Sequence, residues 1–261
     1  MARVRLKIDG NVGSISIHTF LSATENELRI LQDLDSAISR APGGTLDWLV
    51  TDLSLGSLVI ELDSRSRLED KNIGLDVANV FAKGLHQIEE EGTTPPYYSE
   101  YTLQKAKALL RLIGRDGAVG LHVSSPGFSA DLTARASANI GELIPVRHES
   151  LGSVEGTIEM ISIHGSPRFV IYHSRTRKAV SCRFDSARWL SQIKDALGRR
   201  VYVTGVLHTN VRGEPLRVHM EDMVFLRQEE ELPTPSEIRG IDPHLTGDVS
   251  TSDYLRSVRG E

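Results

Sequence analysis

Four histidines, His164, His173, His208 and His219, stand between residues 153 and 226. No two have the i, i+4 or paired-cluster spacing of a metal motif, and no carboxylate stands in obvious register with them, so no metal is expected. Pairing across one expected hairpin would bring His208 and His219 together. Cys182, the only cysteine, alternates with Val180 and Phe184 and reads as a core thiol. Ser14, His18 and Asp33 can be written as a triad, but no oxyanion loop or nucleophile elbow accompanies them. Gly10-x-x-Gly13 and Gly114-x-x-Gly117 lack the third glycine, or the Gly-Lys-Ser/Thr ending, of a phosphate loop. These residues imply a non-catalytic protein with no cofactor.

The charge distribution is more informative. Residues 1–148 hold 15 Lys+Arg against 19 Asp+Glu, a balance of −4; residues 149–227 hold 12 against 8, or +4; residues 228–261 hold 3 against 8, or −5. A mildly basic middle segment between acidic flanks points to an anionic partner, to a masking tail, or simply to solubility.

The elements that must position these charges follow from periodicity. Arg3–Asp9 and Gly13–His18 alternate as strands. Ser22 and Glu25 form a capping box before a helix carrying Leu28, Leu31, Leu34 and Ile38, stopped by Pro42-Gly-Gly44. Leu46–Asp52 and Ser57–Asp63 read as a hairpin turning near Gly56, with Trp48 and Val50 facing Leu58, Ile60 and Leu62. Helices are expected over about 73–90 and 100–113, then strands near 118–124 and 131–138. Without a regular strand–helix alternation, residues 1–148 are expected to form an α+β layer of unassigned role.

Residues 153–226 read as strand, strand, strand, helix, strand, strand. Strand one, Ser153–Ile163, changes apolar phase near Met160, which calls for a bulge or bend. Strands two and three are 168–172 and 179–184. Asp185 or Ser186 caps a helix whose Ala187, Leu190, Ile193 and Leu197 are apolar, and Gly198 ends it. Strands four and five are 200–208 and 216–225. This order resembles the oligonucleotide/oligosaccharide-binding (OB) fold, a five-stranded barrel with a helix between strands three and four. The expected fold class is therefore α+β, with the layer domain followed by a small OB-like barrel at 149–227.

The resemblance implies a ligand lying across strands two and three, between the loops joining strands one–two and four–five. Position by position this implicates Arg168, Tyr172, Arg183, His208, Asn210 and Arg212, with the basic tip Arg175-Thr-Arg-Lys178, hence Arg177 too, at the end of the same surface. Tyr172 and Tyr202 fall out of phase with their apolar neighbours and are expected as exposed platforms for bases, worth roughly 1–3 kcal/mol each. The expected activity is weak binding of single-stranded nucleic acid; aromatic content of 5 % argues against a strong binder.

Residues 228–261 combine an acidic run, Pro233-Thr-Pro235, turns at 240–247 and a short helix over about 250–260, capped by Ser250 and carrying Tyr254, Leu255 and Val258 on one face. A helix this short is marginal alone. The layout resembles the toxin-binding tails of bacterial antitoxins, which order on a partner. The alternative expectation is thus a protein-interaction component, antitoxin-like or an adaptor. No apolar run suits a membrane span or a signal peptide, and the lone cysteine fits a cytoplasmic setting.

Overall fold

The computed structural model describes residues 2–10, 13, 15–54, 58–68, 73–146, 148–163, 165–227, 231, 237, 247 and 249–259. Ser14, His164 and the turns expected at residue 56 and at 233–235 and 240–246 lie outside these. The chain divides into two compact units, Met1–Leu226 and Arg227–Glu261.

The first unit contains helices and two five-stranded sheets, an α+β structure. One sheet has the order β2-β3-β1-β4-β5, built from β1 (Arg3–Gly10), β2 (Leu46–Ser54), β3 (Val59–Ser66), β4 (Ala118–Ser125) and β5 (Phe128–Leu132). β1 shows why one face is dry. Val4, Leu6 and Ile8 are buried, while Arg3 and Arg5 on the other face pair with Asp63 at 2.8 Å and Glu61 at 3.4 Å. The dry face is covered by α1 (Ile17–Ser39), α2 (Gly74–Glu90), α3 (Glu100–Leu110) and α4 (Ala134–Leu143).

Two expected strands are helical instead. The described residues of 13–18 form no strand: the Ser16 hydroxyl accepts from Thr19 N–H at 3.1 Å and starts α1 six residues before the expected Ser22 cap. Within 131–138, only Asp131 and Leu132 are strand. The buried Glu89 carboxylate on α2 accepts from Thr133 N–H (2.9 Å), Thr133 Oγ1 (2.6 Å) and Ala136 N–H (2.9 Å), which fixes the N-terminus of α4 there. α1 stops at Ser39, with Arg40 left-handed at φ +58°; beyond it Gly44, at φ +70°, lies so close to Asp35 that any Cβ would meet the carboxylate, which accepts from Thr45 and Leu46 N–H at 2.8 Å each.

The second sheet runs β6 (His148–Ser162), β7 (Arg168–Tyr172), β8 (Ala179–Arg183), β9 (Arg200–Thr209) and β10 (Pro215–Phe225), with α5 (Ser186–Asp195) between β8 and β9. Its pairing closes in the order β10-β8-β7-β6-β9; β8 and β10 are parallel and the rest antiparallel. Ile158, Phe169, Ile171, Val180, Cys182, Val201, Val203 and Val218 fill the interior. Asp185 caps α5 through Ala187 N–H at 2.9 Å. The expected irregularity in β6 is a bulge between Ile158 and Met160, so Glu159 is the extra residue.

The two sheets share a seam. Ala37, Val170, Tyr172 and Ala179 form one buried cluster against Tyr97 and Met160. The bulge aims Glu159 into it, where Arg177 donates bidentately at 2.8 and 2.7 Å and Arg40 approaches to 3.1 Å. Arg177 lies over the rings of Tyr97 (5.0 Å) and Tyr172 (5.5 Å), and its carbonyl accepts from Tyr97 N–H at 2.8 Å. Tyr97 and Arg177 both sit at positive φ, +65° and +54°, a backbone arrangement non-glycine residues adopt only where packing holds it. No helix among the described residues is long and apolar enough to cross a membrane.

In the second unit, α6 (Thr251–Arg259) is capped by Ser250, whose hydroxyl accepts from Asp253 N–H at 3.2 Å.

Candidate nucleic-acid interface

The outer face of β7 and β8 consists of three cross-strand pairs: Arg168 with Arg183, Val170 with Ser181, and Tyr172 with Ala179. The seam covers the third. The first two line a cleft of about 340 Å³ whose opposite wall is Asp33 of α1 and Ser99, Glu100, Tyr101 and Gln104 at the start of α3.

Both walls are locally determined. Ser99 caps α3 in a reciprocal box: its hydroxyl accepts from Thr102 N–H at 3.1 Å, and Thr102 Oγ1 accepts from Ser99 N–H at 3.2 Å. The same two hydroxyls donate to Asp33 Oδ2, from Ser99 at 2.7 Å and from Thr102. Burial pushes the Asp33 carboxyl up, against the Thr102 and Ser99 hydrogen bonds and the field of Arg168, which favour its charged form. Across the cleft, two guanidiniums stand opposite each other on adjacent strands. Among the described residues neither has a carboxylate within ion-pair distance.

The positive strip continues onto β10 and β9. Arg217 faces Glu100 at 3.8 Å, and the rings of His208 and His219 lie 4.9 Å apart. His208 Nδ1 is 3.1 Å from Glu149, a carboxylate partner not seen in the sequence. Partial burial holds His219 below the usual imidazole range, helped by the charges of His208, Arg183 and Arg217. No three His, Cys, Asp or Glu side chains among the described residues are grouped to hold one metal ion.

The expected binding residues therefore separate. Arg168 and Arg183 meet in the cleft, with His208 nearby. Tyr172 is not an exposed platform: it is fully buried in the seam. Its strand, Phe169-Val-Ile-Tyr172, is apolar at every position, the pattern of a strand covered on both faces; that signal was present in the sequence. Arg177 is committed to Glu159, and Lys178 to Glu214 at 2.5 Å, which also holds Thr94 Oγ1 at 2.7 Å. Asn210 is buried and organises the β9–β10 turn, accepting from Arg212 N–H at 2.9 Å and Glu214 N–H at 3.0 Å. Arg175 and Arg212 are exposed at hairpin tips away from the arginine pair. Tyr202, 39 % exposed, lies in the β6–β9–β10 part of the sheet and receives a 2.6 Å hydrogen bond from Ser153 Oγ. Of the three residues set aside as a triad, Asp33 bonds to Ser99 and Thr102, and His18 is exposed at the start of α1. Tyr254 is half-buried, and Leu255 and Val258 are exposed on α6.

The residues missed by the sequence reading, Ser99, Tyr101 and Gln104, come from the other sheet's helices. Their partners lie across the seam, and no periodicity encodes that. No protein-family model matches this chain, and no curated protein is significantly similar to it.

Proposed function

We propose that this chain is a non-catalytic binding protein that takes single-stranded nucleic acid in the cleft. The arginine pair carries the reading. Like charges directly opposite each other across a strand pair are unfavourable, and a phosphate bridging both would turn that repulsion into charge-assisted hydrogen bonding. The strand circuit supports the OB reading of residues 149–227: first, second, third, fifth, fourth and back to first, with the third–fifth pair parallel and a helix before the fourth. In that fold the face of the second and third strands takes the ligand, and the cleft lies on it. Tyr101, 40 % exposed with Lys105 Nζ 5.4 Å from its ring centre, supplies a stacking surface beside a cation. In this reading residues 1–148 form a supporting domain that narrows the face, and the buried free thiol of Cys182 suits a cytoplasmic location.

Titration with a single-stranded oligonucleotide over a range of salt tests the proposal. Affinity should fall with salt at a log–log slope of about −0.7 per phosphate engaged. The double variant Arg168→Ala/Arg183→Ala should weaken binding at least about tenfold and, with one bridging phosphate lost, flatten the slope by about 0.7. No binding at low salt, or binding indifferent to salt, sinks the reading.

A second reading, a protein partner held by the tail, rests on α6. None of its described residues is buried, and Leu255 and Val258 are 46 % and 67 % exposed. Deleting 233–261 should then release any protein that co-purifies from the native host while leaving the melting of the remaining chain unchanged. A complex that survives the deletion counts against it.

A further inference from the structure

We infer that the cleft receives the phosphorylated end of a nucleic-acid strand and does not hold an internal stretch of one. This rests on the nucleic-acid reading above and narrows it. An open barrel face would let a strand run past all three cross-strand pairs of β7 and β8. Here only the Arg168–Arg183 pair is accessible, with Val170 (3 % exposed) and Ser181 (8 %) as the buried floor of the cleft. Beyond Val170 and Ser181 the face is stopped by Tyr172 (0 % exposed), Ala179 and Ala37, with Tyr97 packed on them. Behind that plug Arg177 is locked to Glu159. Adjacent pairs on one face of a sheet are about 7 Å apart, so the open length is short. The cavity, about 340 Å³, lies near the lower end of the range of small-ligand pockets. It suits one nucleotide, and a longer strand entering it has no exit past the plug.

The chemistry at the mouth fits a terminus. A phosphodiester carries one charge; a terminal phosphomonoester carries about −1.5 to −2 at neutral pH and three acceptor oxygens. Arg168 and Arg183, directly opposed across the strand pair and with no carboxylate in ion-pair reach among the described residues, match the second charge count better than the first. Ser166 and Ser181 line the same cavity with further hydroxyl donors. The two carboxylates of the cleft are already engaged, Asp33 by Ser99 and Thr102 and Glu100 by Arg217. The ring of Tyr101 stands at the same cavity for the terminal base.

The experiment uses the full chain and one short oligonucleotide sequence in four forms: 5′-phosphorylated, 3′-phosphorylated, hydroxyl at both ends, and ligated into a circle. One phosphorylated linear form should bind at least about tenfold more tightly than the hydroxyl-ended form and the circle, and that form identifies the strand end recognised. The preference should vanish in Arg168→Gln and in Arg183→Gln, with near-UV circular dichroism unchanged. If the circle binds as well as the linear strands, the end-binding inference is overturned and single-strand binding stands. If none of the four binds, both fall.

Discussion

Replacing Arg177 with alanine is expected to destabilise the first unit by about 3 kcal/mol and to lower its melting midpoint by about 10 °C. The reason is the carboxylate left behind. The Glu159 side chain is 1 % exposed, and Arg177 supplies two of its hydrogen bonds; among the described residues Arg40, itself 59 % exposed, would remain as its cationic partner. A buried charge stripped of one partner costs more than the pair contributed. The variant also removes the guanidinium between Tyr97 and Tyr172. The double variant Glu159→Leu/Arg177→Met should recover most of the loss, because no charge is then buried. Thermal melts of the three proteins decide it: a double variant as unstable as Arg177→Ala would show that packing, and not the stranded carboxylate, sets the cost.

Glu27 gives the second large effect, with a definite pH signature. It sits on α1 among the core-facing Ala23, Ile30 and Leu34, fully buried, and neither of its oxygens has a hydrogen-bond partner. Burial pushes its carboxyl up to about 8 from an ordinary value near 4.5. Below about pH 4.5 the folded and unfolded chains both keep the proton, and nothing is lost. Above it the unfolded chain releases the proton first, so stability falls as pH rises, and the loss levels off above about pH 8. The cost reaches about 4 kcal/mol near pH 8. Glu27→Gln should abolish that dependence. It should be more stable than the natural chain by about 4 kcal/mol at pH 8 and by less than about 1 kcal/mol at pH 5. Denaturant unfolding at the two pH values checks this, and parallel pH curves for the two proteins would refute it.

What could be read in the sequence was whatever a local rule determines. The five strands and one helix of 149–227 were legible because alternation, the Asp185 cap and the Gly198 stop are each set within a few residues. The bulge was legible as a change of phase, one residue from its true place at Glu159. The expected strand ending at His18 failed because Ile15 and Ile17 satisfy a strand and the start of a helix alike, and the Ser16 cap decides between them. The helix at Ala134 was hidden because its cap is completed by Glu89, far away in sequence. The cleft was half legible. Arg168 and Arg183 follow from strand pairing, whereas Asp33 and Tyr101 face them only once the two sheets dock. Tyr172 was misplaced by judging one residue against its neighbours and overlooking the unbroken apolar run around it.

The seam also imposes an order on synthesis. Thr94 and Glu214, bonded across it, are separated by 120 residues. At 5–20 residues per second, roughly 6 to 24 s pass between their emergence from the ribosome. Ala37 and Tyr97 have nothing to cover them until β7 and β8 follow; Ala179 lies 82 residues after Tyr97, roughly 4 to 16 s at that rate. The nascent N-terminal half therefore spends seconds with a bare apolar patch, the kind of surface that chaperones hold and that crowded chains misuse.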